Sequence, residues 1–168
     1  MVDGLGATKY TYSAAGQLLT EDGLFRLDTV TNAYSNRLRA KLSLQQPTGS
    51  WNNAFAYDST KRLTNVTSPA GAFGYLYDAT LLTHHPERIA LPNTSYITNV
   101  YDADARLTAT YLKNSGNSVL DSYVYVYNPA NQRTNLTRAD ASTVAYKYDP
   151  IGQLKVADSS VNAEDCGY

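Results

Sequence analysis

The chain has 168 residues, with 14 basic side chains against 15 acidic ones and a formal net charge of −1. That length suits one ordinary domain, and the charge balance leaves no basic surface for a nucleic-acid backbone or an anionic membrane, so neither partner is expected. The opening Met1-Val2-Asp3-Gly4-Leu5-Gly6 lacks a basic stretch followed by an apolar run, and no apolar run approaches the length of about 18 residues needed to cross a bilayer, so neither a signal peptide nor membrane insertion is read.

Tyrosine stands out at 15 copies against three Phe and one Trp, which suits a pleated surface that is apolar below and wet above. Tyr12, Tyr34, Tyr57, Tyr77, Tyr101, Tyr127 and Tyr148 recur at intervals of 20 to 26 residues, within the range of a stacked supersecondary repeat. In five of the seven units a second aromatic lies two positions earlier (Tyr10, Phe55, Tyr75, Tyr125, Tyr146), which places both rings on one face of a strand. The residue after the repeat tyrosine is Ser, Asp or Asn, each able to open a turn.

Taken along the chain, the first unit continues through Ser13-Ala14-Ala15-Gly16 to a return strand at Gln17-Leu18-Leu19-Thr20. In the second, Tyr34-Ser35-Asn36-Arg37-Leu38 is two residues shorter than its neighbours, so its turn must differ, and Pro47-Thr48-Gly49-Ser50 reads as a connector. The third runs from Tyr57-Asp58 to Arg62-Leu63-Thr64-Asn65-Val66. The fourth, from Tyr77-Asp78, is interrupted between Leu81 and Pro92, where two prolines would remove ladder donors; a loop or degenerate return strand is expected. The fifth returns at Arg106-Leu107-Thr108-Ala109-Thr110, and Lys113-Asn114-Ser115-Gly116-Asn117 is a second connector. The sixth turns at Asn128-Pro129-Ala130-Asn131. The seventh turns at Asp149-Pro150-Ile151-Gly152 before Gln153-Leu154-Lys155-Val156, the residue pattern of a type I turn with a positive-φ bulge at the fourth position. In each return strand the leucine can pack beside the tyrosines while Gln or Arg points to the opposite face. No sustained helical period is visible, so helix content should be low.

Tyr-Asp-x-x-Gly-Arg/Gln-Leu recurring every twenty-odd residues resembles the YD repeat of Rhs proteins, found also in teneurins and in shell-forming components of insecticidal toxin complexes; the resemblance spans Tyr10 to Val156. It implies an all-β fold of about seven antiparallel hairpins in an open, curved, spiralling sheet, a segment of a hollow shell that encloses cargo. The array is expected over residues 1–158, with a polar C-terminal tail over 159–168. About fourteen strands would make a ribbon about 65 Å wide, too little to enclose a domain-sized cargo. The end-of-core signature with paired Asp-Pro-x-Gly elements is missing, since the one such element, Asp149 to Gly152, is explained as a repeat turn. These departures predict a fragment of a longer array or the product of a truncated gene. The expected partners are the rest of that shell or its cargo, the expected location of the parent protein is secreted or at the cell surface, and an isolated piece should self-associate through uncovered strand edges and apolar surface.

Reactive chemistry is poorly represented. His84 and His85 are adjacent and would point to opposite strand faces; Cys166 sits in the polar tail without a basic neighbour; Asp102 and Asp104 look like a carboxylate pair, but Asp102 occupies the shared turn position. No catalytic residue, metal ligand or cofactor is assigned, and the chain is read as a scaffold, not an enzyme. The alternative is a carbohydrate-binding or adhesive module whose exposed Tyr75, Tyr77, Tyr101, Tyr125, Tyr127, Tyr146 and Tyr148 stack on glycans. Asn-x-Ser/Thr triplets at Asn65, Asn93 and Asn135 fit glycosylation chemistry but arise readily in strands rich in Asn and Thr.

Overall fold

The computed structural model describes residues 2–3, 6–78, 84–161 and 166–167, and the regular structure among them is all strand. They fall into two compact units, Met1–Tyr75 and Leu76–Tyr168. In the first, β1 (Val2–Asp3) pairs with β2 (Gly6–Ala7), and β3 (Lys9–Tyr12), β4 (Leu18–Asp22), β5 (Val30–Ser35), β6 (Leu38–Gln46), β7 (Gly49–Tyr57), β8 (Leu63–Ser68) and β9 (Gly71–Tyr77) follow one another in chain order, β9 running across the boundary. In the second, the order is β10 (Pro86–Ala90), β11 (Tyr96–Tyr101), β12 (Leu107–Lys113), β13 (Val119–Tyr127), β14 (Arg133–Arg138), β15 (Thr143–Tyr148), β16 (Leu154–Ser159) and β17 (Cys166–Gly167). Neighbours are antiparallel, and within neither unit does the last strand pair with the first, so each sheet is open.

Six of the repeat tyrosines end β3, β7, β9, β11, β13 and β15, and the seventh, Tyr34, is the penultimate residue of β5, as expected of the outgoing legs of seven hairpins. Six of the pairings across the turn are Tyr12↔Leu18, Tyr34↔Arg39, Tyr57↔Leu63, Tyr101↔Leu107, Tyr127↔Arg133 and Tyr148↔Leu154, each with a register shift at the tyrosine. Five of those turns share one geometry. The first residue's N–H donates to the fifth residue's carbonyl, the fourth residue's N–H donates back to the first's, and the fourth residue has positive φ. They are Ser13–Gln17, Asp58–Arg62, Asp102–Arg106, Asn128–Gln132 and Asp149–Gln153. The first side chain explains why only Ser, Asp and Asn stand there. Its oxygen accepts the N–H groups of both the third and the fifth residue, at 2.9 and 2.9 Å on Asp58 and at 3.0 and 2.8 Å on Asp149, so donors that no strand could reach are satisfied.

The second unit of the repeat departs as its length requires: Ser35 pairs with Leu38, and Asn36 and Arg37 both take positive φ, 50° and 66°, the two-residue hairpin turn whose twist matches its strands. The fourth position of the common turn holds glycine only at Gly16 and Gly152; Lys61 (φ 66°), Ala105 (φ 59°) and Asn131 (φ 60°) take the same conformation with a Cβ. At Lys61 and Ala105 the next residue is an arginine whose Nε donates to the turn Asp at 2.7 Å, an added clamp across the strained corner.

The connector read at Lys113–Asn117 is a turn between hairpins: Asn114–Ser118 has the same five-residue geometry at their opposite end, as do Leu91–Ser95 and Arg138–Ser142, with Asn117, Thr94 and Ala141 at positive φ. Two sequence readings need correction. The Arg of the return strand does not point away from the tyrosines: the Arg106 guanidinium lies 5.3 Å from the Tyr127 ring, because the bulge at the tyrosine interrupts the alternation of the pleat. Part of the segment read as a tail is a strand, with Cys166 and Gly167 opposite Ala157 and Val156. The interrupted fourth unit has its return strand at Pro86–Ala90, while Leu81–Thr83 lie outside the described residues.

Burial is slight among the described residues. The buried apolar side chains are Tyr96, Ala109, Leu136 and Val144, and none of the described side chains is fully enclosed. In the second unit, register puts Tyr101, Tyr125, Tyr127, Tyr146, Tyr148, Leu136 and Val144 on one face. The opposite face carries Val100, Val124 and Val126, which are 47%, 36% and 53% exposed.

Candidate functional site

The distinctive geometry lies where one hairpin meets the next. Ladders between hairpins are continuous at the connector end and stop short of the tyrosine end, always at the residue three before the repeat tyrosine: Thr31 on Thr20, Ala54 on Lys41, Thr98 on Arg88, Val124 on Ala109 and Ala145 on Asn135. Gly167 on Val156 has the equivalent register, so β17 is placed as an outgoing leg. Beyond those pairs the hairpins splay, and carbonyls of the return strand lose their ladder donors.

The tyrosine hydroxyl fills that vacancy. Tyr34 donates to the Leu18 carbonyl at 3.0 Å, Tyr57 to Arg39 at 3.0 Å, Tyr127 to Leu107 at 2.8 Å and Tyr148 to Arg133 at 2.7 Å. In each case the acceptor is the residue paired with the preceding repeat tyrosine, so each hairpin is stitched to the one before it at a fixed register. Tyr101 reaches the Pro86 carbonyl more loosely, at 3.4 Å, and burial raises its phenol above the ordinary value, partly offset by Asn99. Such a bond contributes about 1 kcal/mol, and a phenylalanine of the same shape would leave the carbonyl unsatisfied. The sequence signal for this role is that all seven repeat positions hold Tyr and none Phe, a distinction that aromatic packing alone does not require.

A second tie runs along the turns. The fifth turn residue reaches the positive-φ residue of the next turn: Gln17 Nε2 to the Arg37 carbonyl at 3.3 Å, Arg106 to Asn131 Oδ1 at 2.6 Å, and Gln132 Nε2 to the Gly152 carbonyl at 3.4 Å. The guanidinium of Arg133 covers the Tyr125 ring at 4.1 Å from its centroid. Of the tyrosines considered for glycan stacking, Tyr101, Tyr127 and Tyr148 therefore have committed hydroxyls and Tyr125 has a covered face; Tyr146 shares their face in β15, and Tyr75 and Tyr77 lie two apart on β9.

The turn acids are ligands of their own backbone. At Asp58, partial desolvation works to raise the carboxyl, but hydrogen bonds from the Arg62 side chain and backbone and from Thr60, with the Arg62 charge, outweigh it and hold the group far below the ordinary carboxylate range. Asp102 is lowered first by the Arg106 N–H, against desolvation, and then by the Arg106 guanidinium and the Asp104 N–H; Asp140 is lowered by the hydroxyl and N–H of Ser142. Asp104 stands 3.5 Å from Arg106, so the apparent carboxylate pair is two ligands of one arginine. His85 packs against Tyr101 with ring centroids 5.2 Å apart, and the Cys166 side chain lies outside the described atoms. Among the described residues no cluster of His, Cys, Asp and Glu is arranged to hold a metal. Open depressions among the described residues include one of about 420 Å³ beside Asn36 and Tyr57 in the first unit and one of about 360 Å³ beside His85 and Tyr101 in the second.

No family model matches the chain. It is 26% identical over 137 residues to the uncharacterized protein MJ1394 of Methanocaldococcus jannaschii, an alignment that covers 81% of this chain and 12% of that protein. Among solved structures it superposes on TcdB2-TccC3 without its hypervariable C-terminal region with a TM-score of 0.71 at 15% identity, over 95% of this chain and 9% of that one. On TcdB2-TccC3 itself the TM-score is 0.50 at 14% identity, over 89% and 10% of the two chains. The chain thus has the fold of a stretch of these much longer polypeptides, about a tenth of their length.

Proposed function

We propose that this chain is a wall segment of a YD-repeat shell: a scaffold whose product is surface, with no chemistry of its own, within a secreted or surface-exposed parent protein. The observation that carries the reading is the recurrent junction. Four hairpins are joined to their predecessors by the same tyrosine hydroxyl, at the same register, to the carbonyl paired with the previous tyrosine. A rule that refers only to the preceding hairpin can be repeated indefinitely, which suits a wall of any length. The fold shared with TcdB2-TccC3 chains supports it, as does the exposed valine face, which one layer of sheet cannot cover. The enclosed cargo and the remaining shell are the partners this reading assigns.

Limited proteolysis of the full-length polypeptide containing this segment tests the proposal. An encapsulating wall should protect an enclosed domain that is cleaved at once when expressed alone; equal cleavage in both settings would overturn the encapsulating role.

A further inference from the structure

The 420 Å³ depression of the first unit lies at the junction between the Tyr34 and Tyr57 hairpins, where the repeat breaks its own rule. In three other junctions, a Gln or Arg at the fifth turn position reaches the next turn. The two-residue turn at Asn36–Arg37 is too short to have that position, and Leu38, which follows it, cannot make a polar tie. The hydroxyl stitch from Tyr57 to Arg39 holds the junction at its base, so shortening the turn opens a cleft above the stitch without separating the hairpins.

What lines this cleft is uneven in a useful way. Phe55 and Tyr57, two apart on β7, share one face and supply a half-buried aromatic wall. Ser35, Asn36 and Ser59 supply exposed neutral donors and acceptors. Two charged side chains border it in different states. The Asp58 carboxylate is saturated, since it accepts from the Thr60 N–H and hydroxyl and from the Arg62 N–H and guanidinium. Lys61 has no ion-pair partner among the described residues, so its ammonium is the uncommitted charge at the rim.

We infer that this cleft is a binding subsite for an acidic sugar residue of the hexuronate type. The aromatic wall takes the apolar face of a pyranose ring, Ser35, Asn36 and Ser59 meet its hydroxyls, and the Lys61 ammonium pairs with its carboxylate. A neutral hexose leaves Lys61 without a partner, and inorganic phosphate has no use for the aromatic wall. The site differs from a ladder of exposed tyrosines and does not depend on the shell reading, since it needs only the first unit.

The test is titration of the full chain with sodium glucuronate, glucose and inorganic phosphate, followed by saturation-transfer NMR and calorimetry. Glucuronate should saturate in the millimolar range, with glucose weaker by about tenfold for want of the charge-assisted bond. Lys61→Ala should bring glucuronate down to the level of glucose, and it should fold, because Ala105 and Ala141 already occupy the same turn position at φ 59° and 66°. Asn36→Gly, which suits positive φ and removes only the amide, should weaken binding about threefold. No saturable response, equal affinity for glucose and glucuronate, displacement by phosphate as effective as by glucuronate, or an unchanged titration in Lys61→Ala would each overturn the proposal.

Discussion

The junction between the Tyr127 and Tyr148 hairpins and the one between Tyr34 and Tyr57 use the same stitch and end differently. In the first, the hydroxyl of Tyr148 takes the Arg133 carbonyl and Gln132 spans the turns to Gly152, so the seam is tied at two levels. In the second, the Tyr57 hydroxyl takes the Arg39 carbonyl, the upper tie is lacking and a depression opens. The difference comes from one residue of turn length, Ser35–Leu38 against Asp149–Gln153. A five-residue turn brings a long polar side chain back over the sheet, whereas a two-residue turn satisfies its strands equally well but has nothing to extend. At these two seams turn length therefore separates a closed end from a cleft, while the tyrosine hydroxyl fastens both beyond the end of the backbone ladder.

The largest effect on both seams should come from acid. Asp58, Asp102 and Asp140 titrate lower in the folded chain than unfolded, so protonation favours unfolding. Their stabilisation is complete above about pH 4 and is lost as pH falls through the depressed folded values. Thermal midpoints measured from pH 7 down to pH 2 should stay level in this respect to about pH 4 and then drop; a midpoint unchanged at pH 2 would remove the turn carboxylates from the account.

Among single changes, Gly152→Val should cost most, about 1–2 kcal/mol, because φ is 89° and the new Cβ would lie 3.2 Å from the Gln132 Nε2 that makes the upper tie. Gly16→Val meets nothing within 4 Å and isolates the backbone part of that cost, so the excess of the first over the second in urea denaturation measures the disturbed seam.

Tyr127→Phe and Tyr148→Phe should each cost about 1 kcal/mol by leaving a carbonyl without its donor. Tyr12→Phe, at a side chain 60% exposed, should lie near zero by the same chemical denaturation. Equal values for all three would mean that the rings, not the hydroxyls, hold the hairpins. The smallest effect is expected of Gln17→Ala, about 0.5 kcal/mol from one long, exposed hydrogen bond to the Arg37 carbonyl, accompanied by faster amide exchange at Arg37.

Much of this architecture was legible because it is local. A tyrosine followed by Ser, Asp or Asn, with an aromatic two positions earlier, marks an outgoing strand and its turn within a dozen residues, and the odd length of the Tyr34 unit announced a different turn. Three things escaped. The positive-φ positions at Lys61 and Ala105 carry no glycine signal, because an arginine on the turn Asp holds the corner instead. The turns of the opposite end, such as Leu91–Ser95 and Arg138–Ser142, open on residues that do not announce a turn; there the third residue, Asn93 or Asp140, accepts the fifth residue's N–H. The hydroxyl stitch joins residues 15 to 20 positions apart, as from Tyr148 to Arg133 or Tyr127 to Leu107, and spacing in the sequence records only that an aromatic is present.

By itself, then, the sequence determined the seven legs that carry a repeat tyrosine and the face shared by their paired rings, since pleat alternation and turn chemistry act between near neighbours. Only the tertiary structure decided what the hydroxyls bind, which seams are tied twice and where a cleft remains. Those outcomes depend on how far adjacent hairpins splay, and splay is set by bulges and ladders acting between strands, not by any one strand's residues.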